Sequence, residues 1–326
     1  MKYRIQHLTS YHYSQEVDLG PHVVRLRPAV HAKSKVLSYS LTVKPDCQVR
    51  WQYDPWNNLI ARLAFPPDRK FQELSLCVDA TVEIKPINPF DFYVESWCEQ
   101  LPFDYPEAVQ KELLPFLEKP EGGPLFNEFL KKFPLEGALI DFLVNLNSTV
   151  FKTISYEIRH EPGIQTSEET LARSAGSCRD TALLTMEILR SLGFAARFVS
   201  GYLLQEVEEE MKLDLHAWTE VYVPGAGWVG LDGTSGLLCS EGHIPLACTV
   251  TADQAAPVFG TASGAAVRFD VQSNVSIVGD ETSPDRPYSD ETWRDILKTG
   301  DSVDALLDST GTLLTSGGEP TFTAVD

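Results

Sequence analysis

The stretch L-H-A-W-T-E-V-Y-V-P-G-A-G-W-V-G-L-D-G-T-S-G, residues 215–236, decides the fold when read with S-C-R-D-T-A-L-L-T-M-E-I-L-R-S-L-G, residues 177–193. The first alternates from Ala217 to Val223, turns at Pro224-Gly225-Ala226-Gly227 and returns from Trp228 to Asp232, which predicts a hairpin. Antiparallel pairing then sets His216, opening the outgoing strand, and Asp232, closing the incoming one, at the same edge of the sheet. In the second, Ala182, Leu183, Met186, Leu189 and Leu192 recur at three- and four-residue spacing and the run stops at Gly193. That spacing predicts an amphipathic helix beginning at Cys178.

A cysteine at a helix N-terminus meets unpaired backbone N–H groups and the positive end of the macrodipole, both of which favour thiolate over thiol. Cys178, His216 and Asp232 therefore form a candidate triad. The thiolate attacks a carbonyl, the imidazole moves protons, and the carboxylate orients the ring. Cys47, Cys77, Cys98, Cys239 and Cys248 lack such flanks and read as small buried hydrophobes. For the oxyanion, the Cys178 amide is the natural first donor; Gln165 and Tyr156 are candidates for the second, with the choice open. Gln165 also adjoins Thr166-Ser167-Glu168-Glu169, a capping-box pattern. Trp218 and Trp228 are candidates either for groove walls or for core packing.

S-C-R-D, H-A-W-x-E-V-Y and D-x-T-S-G resemble the transglutaminase-like branch of the papain-like superfamily, its bacterial members above all. Tyr3-Arg4-Ile5 with His7, Tyr11 and Tyr13, then Leu19-Gly20-Pro21-His22, resembles the N-terminal β domain of that group. The resemblance implies an α+β papain-like core behind an N-terminal antiparallel β-sandwich. It also implies Cys178 as nucleophile, His216 as base and Asp232 as orienting acid. Gly233 departs from the pattern, standing where many relatives carry proline, and is expected to loosen that turn. Leu314-Thr315-Ser316-Gly317-Gly318-Glu319-Pro320-Thr321-Phe322 resembles the opening of an amidoligase region that follows such segments in larger bacterial proteins. On that resemblance the chain is expected to be part of a longer protein, with the downstream amidoligase-like region as a partner.

The organisation expected is 1–95 as the β-sandwich, 96–260 as the catalytic core with a helical connector, and 261–326 as a C-terminal extension. Leu74, Leu76, Val78, Ala80, Val82 and Ile84 share one strand face, and Leu37 to Val43 alternates likewise. His7, Tyr11, His12 and Tyr13 read as edge-strand packing without metal-ligand companions. Prolines from Pro89 to Pro124 punctuate short helical patterns near 107–117 and 125–132, and a longer helix is predicted near 137–150. Val267 to Val278 reads as a strand, and Ser289 to Leu297 as a short helix.

A net charge of -19 argues against nucleic-acid binding, which needs clustered Lys and Arg. The acidic run at residues 206–210 is expected to form a loop at the mouth of the site and to disfavour acidic substrates. No apolar run approaches the roughly 18 residues of a membrane span, and six cysteines without C-x-x-C argue against a disulfide framework or zinc ribbon. A cytoplasmic enzyme is expected, with no cofactor, no metal, no calcium loop and a peptide or protein substrate. It performs acyl transfer through a thioester, with peptide or isopeptide hydrolysis favoured. The alternatives are amine transfer to protein glutamine, or a non-catalytic binding module attached to an amidoligase.

Overall fold

The computed structural model describes residues 1–159, 163–207 and 210–278, with backbone pairings at Ala305–Leu306 and Thr321–Thr323. The helix expected at 289–297 and residues 314–320 of the amidoligase-like motif lie outside the described residues.

Six strands open the chain: β1 (Lys2–Val17), β2 (Leu19–Val24), β3 (Lys35–Lys44), β4 (Gln48–Tyr53), β5 (Leu59–Ala64) and β6 (Phe71–Glu83). Two more arrive from the far end, β16 (Val258–Ala262) and β17 (Val267–Ile277). They form two antiparallel sheets, one running β17-β1-β6-β3 and the other β16-β2-β5-β4. The buried faces of both sheets share one apolar core that includes Ile5, Tyr11, Leu63, Leu76 and Phe269. Residues 258–277 thus complete the N-terminal sheets instead of standing apart as an extension.

Strand β6 buries Leu74, Leu76, Val78, Ala80 and Val82 as its alternation predicts. In β3 a bulge between Val36 and Ser38 shifts the register, so Leu37 faces solvent while Val36, Tyr39, Leu41 and Val43 pack inward. Strand β1 is central, flanked by β6 and β17, which corrects the edge reading of His7, Tyr11 and Tyr13. All three are buried, and only His12 points out, toward Glu73.

His7 is fully buried, with Nδ1 3.1 Å from Ser273 Oγ and Nε2 2.8 Å from Thr9 Oγ1. Burial pushes its pKa down to about 4. The unfolded chain takes up this proton near pH 6.5 and the folded one does not, so stability is lost as pH falls from about 6.5 toward 4. His7→Gln, which cannot titrate, is expected to remove about 2 kcal/mol of the stability difference between pH 7 and pH 5. Urea midpoints at the two pH values measure it.

The connector holds α1 (Glu107–Leu113), a 3-10 turn at Leu114–Leu117, and α2 (Pro124–Leu130). Phe116 stacks against Trp56 of the N-terminal sheets and Trp228 of the core, with ring centroids 5.4 and 5.0 Å away. Helices α3 (Leu139–Thr153), α4 (Ser167–Arg173) and α5 (Cys178–Ser191) follow. Two-residue bridges tie these parts together, β7 (Gln100–Leu101) to β8 (Gly137–Ala138) and β9 (Ser155–Tyr156) to β10 (Ala175–Gly176).

The core sheet contains β11 (Ala196–Val207), β12 (Glu210–Val223), β13 (Gly227–Asp232), β14 (Leu237–Leu238) and β15 (His243–Thr249), in the order β14-β13-β12-β11-β15. Every neighbouring pair is antiparallel. Helix α5 packs on one face against Phe198, Ala217 and Val221. The outer ends of β11, β12 and β15 leave this core and place Tyr202, Leu204, Leu213, Leu215 and Ile244 in the N-terminal core. The Asn58 side chain continues the sheet edge, donating to Cys248 O at 2.9 Å and accepting from Cys248 N at 2.8 Å.

Candidate functional site

Cys178 is the first residue of α5 and is buried. The helix start is fixed by Asp180, whose carboxylate accepts from Ser177 N (2.8 Å), Ser177 Oγ (2.9 Å) and Gln165 N (2.7 Å). Both of its oxygens lie 2.7 Å from Arg159 Nη1. Burial alone would raise this carboxyl pKa; the Arg159 guanidinium and the N–H donors outweigh it and hold the group below the usual carboxylate range. Farther along, Thr219 Oγ of β12 donates to Ala182 O of α5 at 2.6 Å. The first turns of α5 are thereby fastened to the strand that carries His216.

The hairpin pairs Thr219 with Leu231 and Val223 with Gly227, as the turn sequence predicts. His216 Nε2 sits 3.2 Å from Asp232 Oδ2, and both side chains are buried. With Nε2 engaged there, Nδ1 is the ring nitrogen on the other side, the one a nucleophile can use. Asp232 Oδ1 accepts from Thr234 N and Thr234 Oγ at 2.9 and 2.7 Å, and Oδ2 accepts from Ser235 Oγ at 3.1 Å. From α3, Asn147 Nδ2 donates to the backbone oxygens of Asp232 and Leu237 at 3.1 and 3.0 Å, clamping the turn. Burial by itself would raise the Asp232 pKa, but the His216 and His243 donors hold the carboxyl far below its usual range.

Gly233 closes the arrangement: a Cβ built on it would lie 2.7 Å from Thr181 Cγ2. Glycine here lets the aspartate turn approach α5. The expectation that it loosens the turn is corrected by that close contact.

His243 has no signal in the sequence. Its Nδ1 accepts from Ser240 N at 3.2 Å, so Nε2 carries the proton and donates to Asp232 Oδ2 at 3.3 Å. It comes from β15, separated from β12 by β11, where it pairs opposite Leu203 of β11. The Trp218 ring covers Gly201, where a Cβ would meet its Cη2 at 2.3 Å, and His243 stands edge-on to Trp218 with centroids 5.2 Å apart.

Trp218 is therefore core packing beside His216, while Trp228 lies under the Arg197 guanidinium at 4.3 Å. Gln165 is buried with Nε2 unbonded, and Tyr156 is more than half exposed. Thr166 and Glu169 form the expected capping box. The acidic run is not a loop at the site. β11 runs to Val207 and β12 resumes at Glu210, so the run spans a hairpin end six residues beyond Gly201, the partner of His216. That is roughly 20 Å away at about 3.3 Å per residue. Residues 208–209 themselves lie outside the described residues.

Two clusters among the described residues bring three metal-ligand-type atoms within 4.8 Å: His216, Asp232 and His243, and His31, Glu220 and Cys248. In the first the atoms bond one another; in the second Arg197 Nη2 pairs with Glu220 at 2.6 Å and reaches His31 Nε2 at 3.3 Å. A cavity of about 670 Å³ reaches His216 and Arg179. No helix among the described residues is long and apolar enough to cross a membrane.

Residues 3–83 match the family described as "Bacterial transglutaminase-like N-terminal region", residues 134–233 the "Transglutaminase-like superfamily", and residues 263–326 the "Putative amidoligase enzyme" family. An uncharacterized protein of Mycobacterium tuberculosis is 26% identical over 262 residues, covering 74% of this chain and 82% of its own. A Mycobacterium leprae counterpart is 23% identical over 268 residues, covering 80% and 93%. A crystal structure from Cytophaga hutchinsonii, described as a "Putative Cysteine Protease", superposes with a TM-score of 0.64 at 20% identity, covering 87% of this chain and 93% of that one. That likeness carries the fold across nearly the whole described chain. Residues 134–233 are a transglutaminase-like superfamily core, joined to a bacterial transglutaminase-like N-terminal region at residues 3–83.

Proposed function

We propose that the chain is a cysteine-dependent acyl-transfer enzyme that cleaves an amide bond, with peptide or isopeptide hydrolysis as its reaction. The observation that carries this reading is the buried His216–Asp232 pair, built beside a helix whose first residue is Cys178. The Cys178 thiolate attacks the carbonyl carbon, and the C–N bond breaks as His216 passes its proton to the departing amine. Water then adds to the thioester, giving up a proton to His216 and releasing acid and thiolate. The Cys178 backbone N–H and the unbonded Gln165 Nε2 are the candidate oxyanion donors. The likeness to a protein described as a cysteine protease supports the same class. All six cysteines are free, which suits a reducing compartment such as the cytoplasm.

Alkylation by iodoacetamide, followed by mass spectrometry across pH, tests the nucleophile. The other thiols are poor competitors, since burial pushes Cys47 up to about 11 and Cys77 up to about 12 and also raises Cys98, Cys239 and Cys248. Cys178 is expected to react at pH values below the ordinary thiol pKa of about 8.5, and more slowly in His216→Ala. Reaction no faster than the other five would leave the chain as a binding module.

His243 acts through Asp232 as a positioning residue. His243→Ala is expected to slow Cys178 alkylation at neutral pH by about tenfold, the scale of losing an outer hydrogen-bonding partner. His243→Gln, which restores an N–H donor, is expected to recover most of it. Equal rates in the alanine variant and the native chain would assign His243 to packing alone.

A further inference from the structure

The cavity beside His216 is elongated. Arg179, Leu183, Met186, Glu187 and Arg190 all line it, and their spacing places them on one stripe of α5. At 1.5 Å per residue the cavity follows the helix for about 16 Å. Its opposite side is Phe198, Ser200 and Ala217 of the sheet, with Val250, Ala252 and Ala255 over it. Its volume of about 670 Å³ falls among cavities that hold whole small molecules, beyond one side chain.

The polar groups along its depth are already engaged within the protein. Arg190 donates to Ala196 O at 3.0 and 2.8 Å and to Val250 O at 2.7 Å. Ser200 Oγ donates to Ala255 O at 2.6 Å, and Glu187 accepts from Ser167 Oγ. Alanines at 217, 252 and 255 leave space where larger side chains would fill it. A ligand in this depth gains from apolar surface along the α5 stripe, and the charged side chains Glu118, Lys119, Glu121 and Asp253 stand only at the exposed rim of the cavity.

We propose that the cavity binds the acyl limb of the substrate, and that this limb is long and apolar: an extended alkyl or aryl chain, or a run of apolar side chains, attached to the carbonyl that Cys178 attacks. The proposal rests on the acyl-transfer reading and narrows its substrate class. Polar or charged acyl groups are poor occupants, because desolvating them here is uncompensated.

The test compares Cys178 alkylation by iodoacetamide with N-ethyl, N-butyl and N-octyl iodoacetamide, each rate read by mass spectrometry on the full chain. The rate is expected to climb with chain length and to gain at least tenfold by octyl, since each buried methylene adds favourable transfer free energy. Ala252→Phe, which fills the cavity, is expected to bring the octyl-to-unsubstituted ratio to about one. N-octylacetamide, which has no iodide to displace and so cannot alkylate the thiol, is expected to protect Cys178 in the native chain. Fast iodoacetamide reaction with no dependence on chain length overturns the acyl-limb proposal and leaves the nucleophile reading standing. Slow reaction with every reagent overturns both. The length series in the native chain decides the matter even where the phenylalanine variant does not fold.

Discussion

Asp180→Ala is expected to cost about 3–5 kcal/mol of stability, the scale of breaking a buried ion pair from one side. The Asp180 side chain is 0% exposed and Arg159 11%, so the guanidinium left behind is largely shielded from bulk water. The same carboxylate accepts the Ser177 and Gln165 backbone N–H groups, and losing it frees both the start of α5 and the 159–165 segment. The native thermal midpoint is expected to drop by about 10 °C in the variant. Acid should act in the same direction on the native chain. A carboxyl held below its unfolded pKa contributes stability above about pH 4 and loses it as pH falls through the folded value. Calorimetric scans at pH 7 and pH 3.5 measure both effects. A midpoint within 2 °C of native in Asp180→Ala at pH 7 would show that the helix start does not depend on the pair, on the scale of about 3 °C per kcal/mol.

Asp232→Asn is expected to slow Cys178 alkylation at neutral pH on the order of a hundredfold while leaving the fold assembled. Oδ2 accepts from Ser235 Oγ and faces two imidazole Nε2 atoms, at 3.2 Å for His216 and 3.3 Å for His243. An amide nitrogen at that position turns an N–H toward N–H donors. With the amide flipped, the nitrogen faces Thr234 N and Thr234 Oγ instead. Either orientation breaks part of the set, and His216 loses the anion that stabilises its protonated form. Circular dichroism checks that the variant is folded, and the alkylation rate reads the effect. A rate within threefold of native would remove Asp232 from the working site.

The three candidate residues were legible because each stands at a distinct feature of its own segment. Cys178 opens an apolar stripe that ends at a glycine, and His216 and Asp232 flank a hairpin with an unmistakable turn. Local periodicity governs such features, so they survive reading in isolation. Strand β3 shows the limit: alternation pointed to the right strand and to Tyr39, Leu41 and Val43, yet the bulge at Leu37 put Val36 in the core in place of Leu37. A one-residue register shift is invisible to a period-two pattern.

Position along the chain misled where partners are distant. Glu206, Val207 and Glu210 precede His216 in sequence but lie at the end of a long pair of strands whose Leu204 and Leu213 sit in the N-terminal core, away from the site. Residues from 261 on read as a separate extension, yet β16 and β17, across residues 258–277, pair with β2 and β1. No local property of these segments encodes the strand each will meet.

By itself the sequence determined the elements: an α+β core with a strand-rich N-terminal region, a cysteine at a helix start, and an imidazole and a carboxylate joined by one turn. Only the tertiary structure decided what surrounds them. His243 reaches Asp232 across an intervening strand, Gly201 of that strand leaves room for the Trp218 ring beside both, and Asn147 clamps the aspartate turn from another helix. Gly233 admits the turn against α5, and the alanines at 217, 252 and 255 leave a cavity along it. Periodicity is set by neighbours three or four residues away and can be read from the chain, whereas these contacts join residues tens to hundreds apart and exist only after packing selects one arrangement.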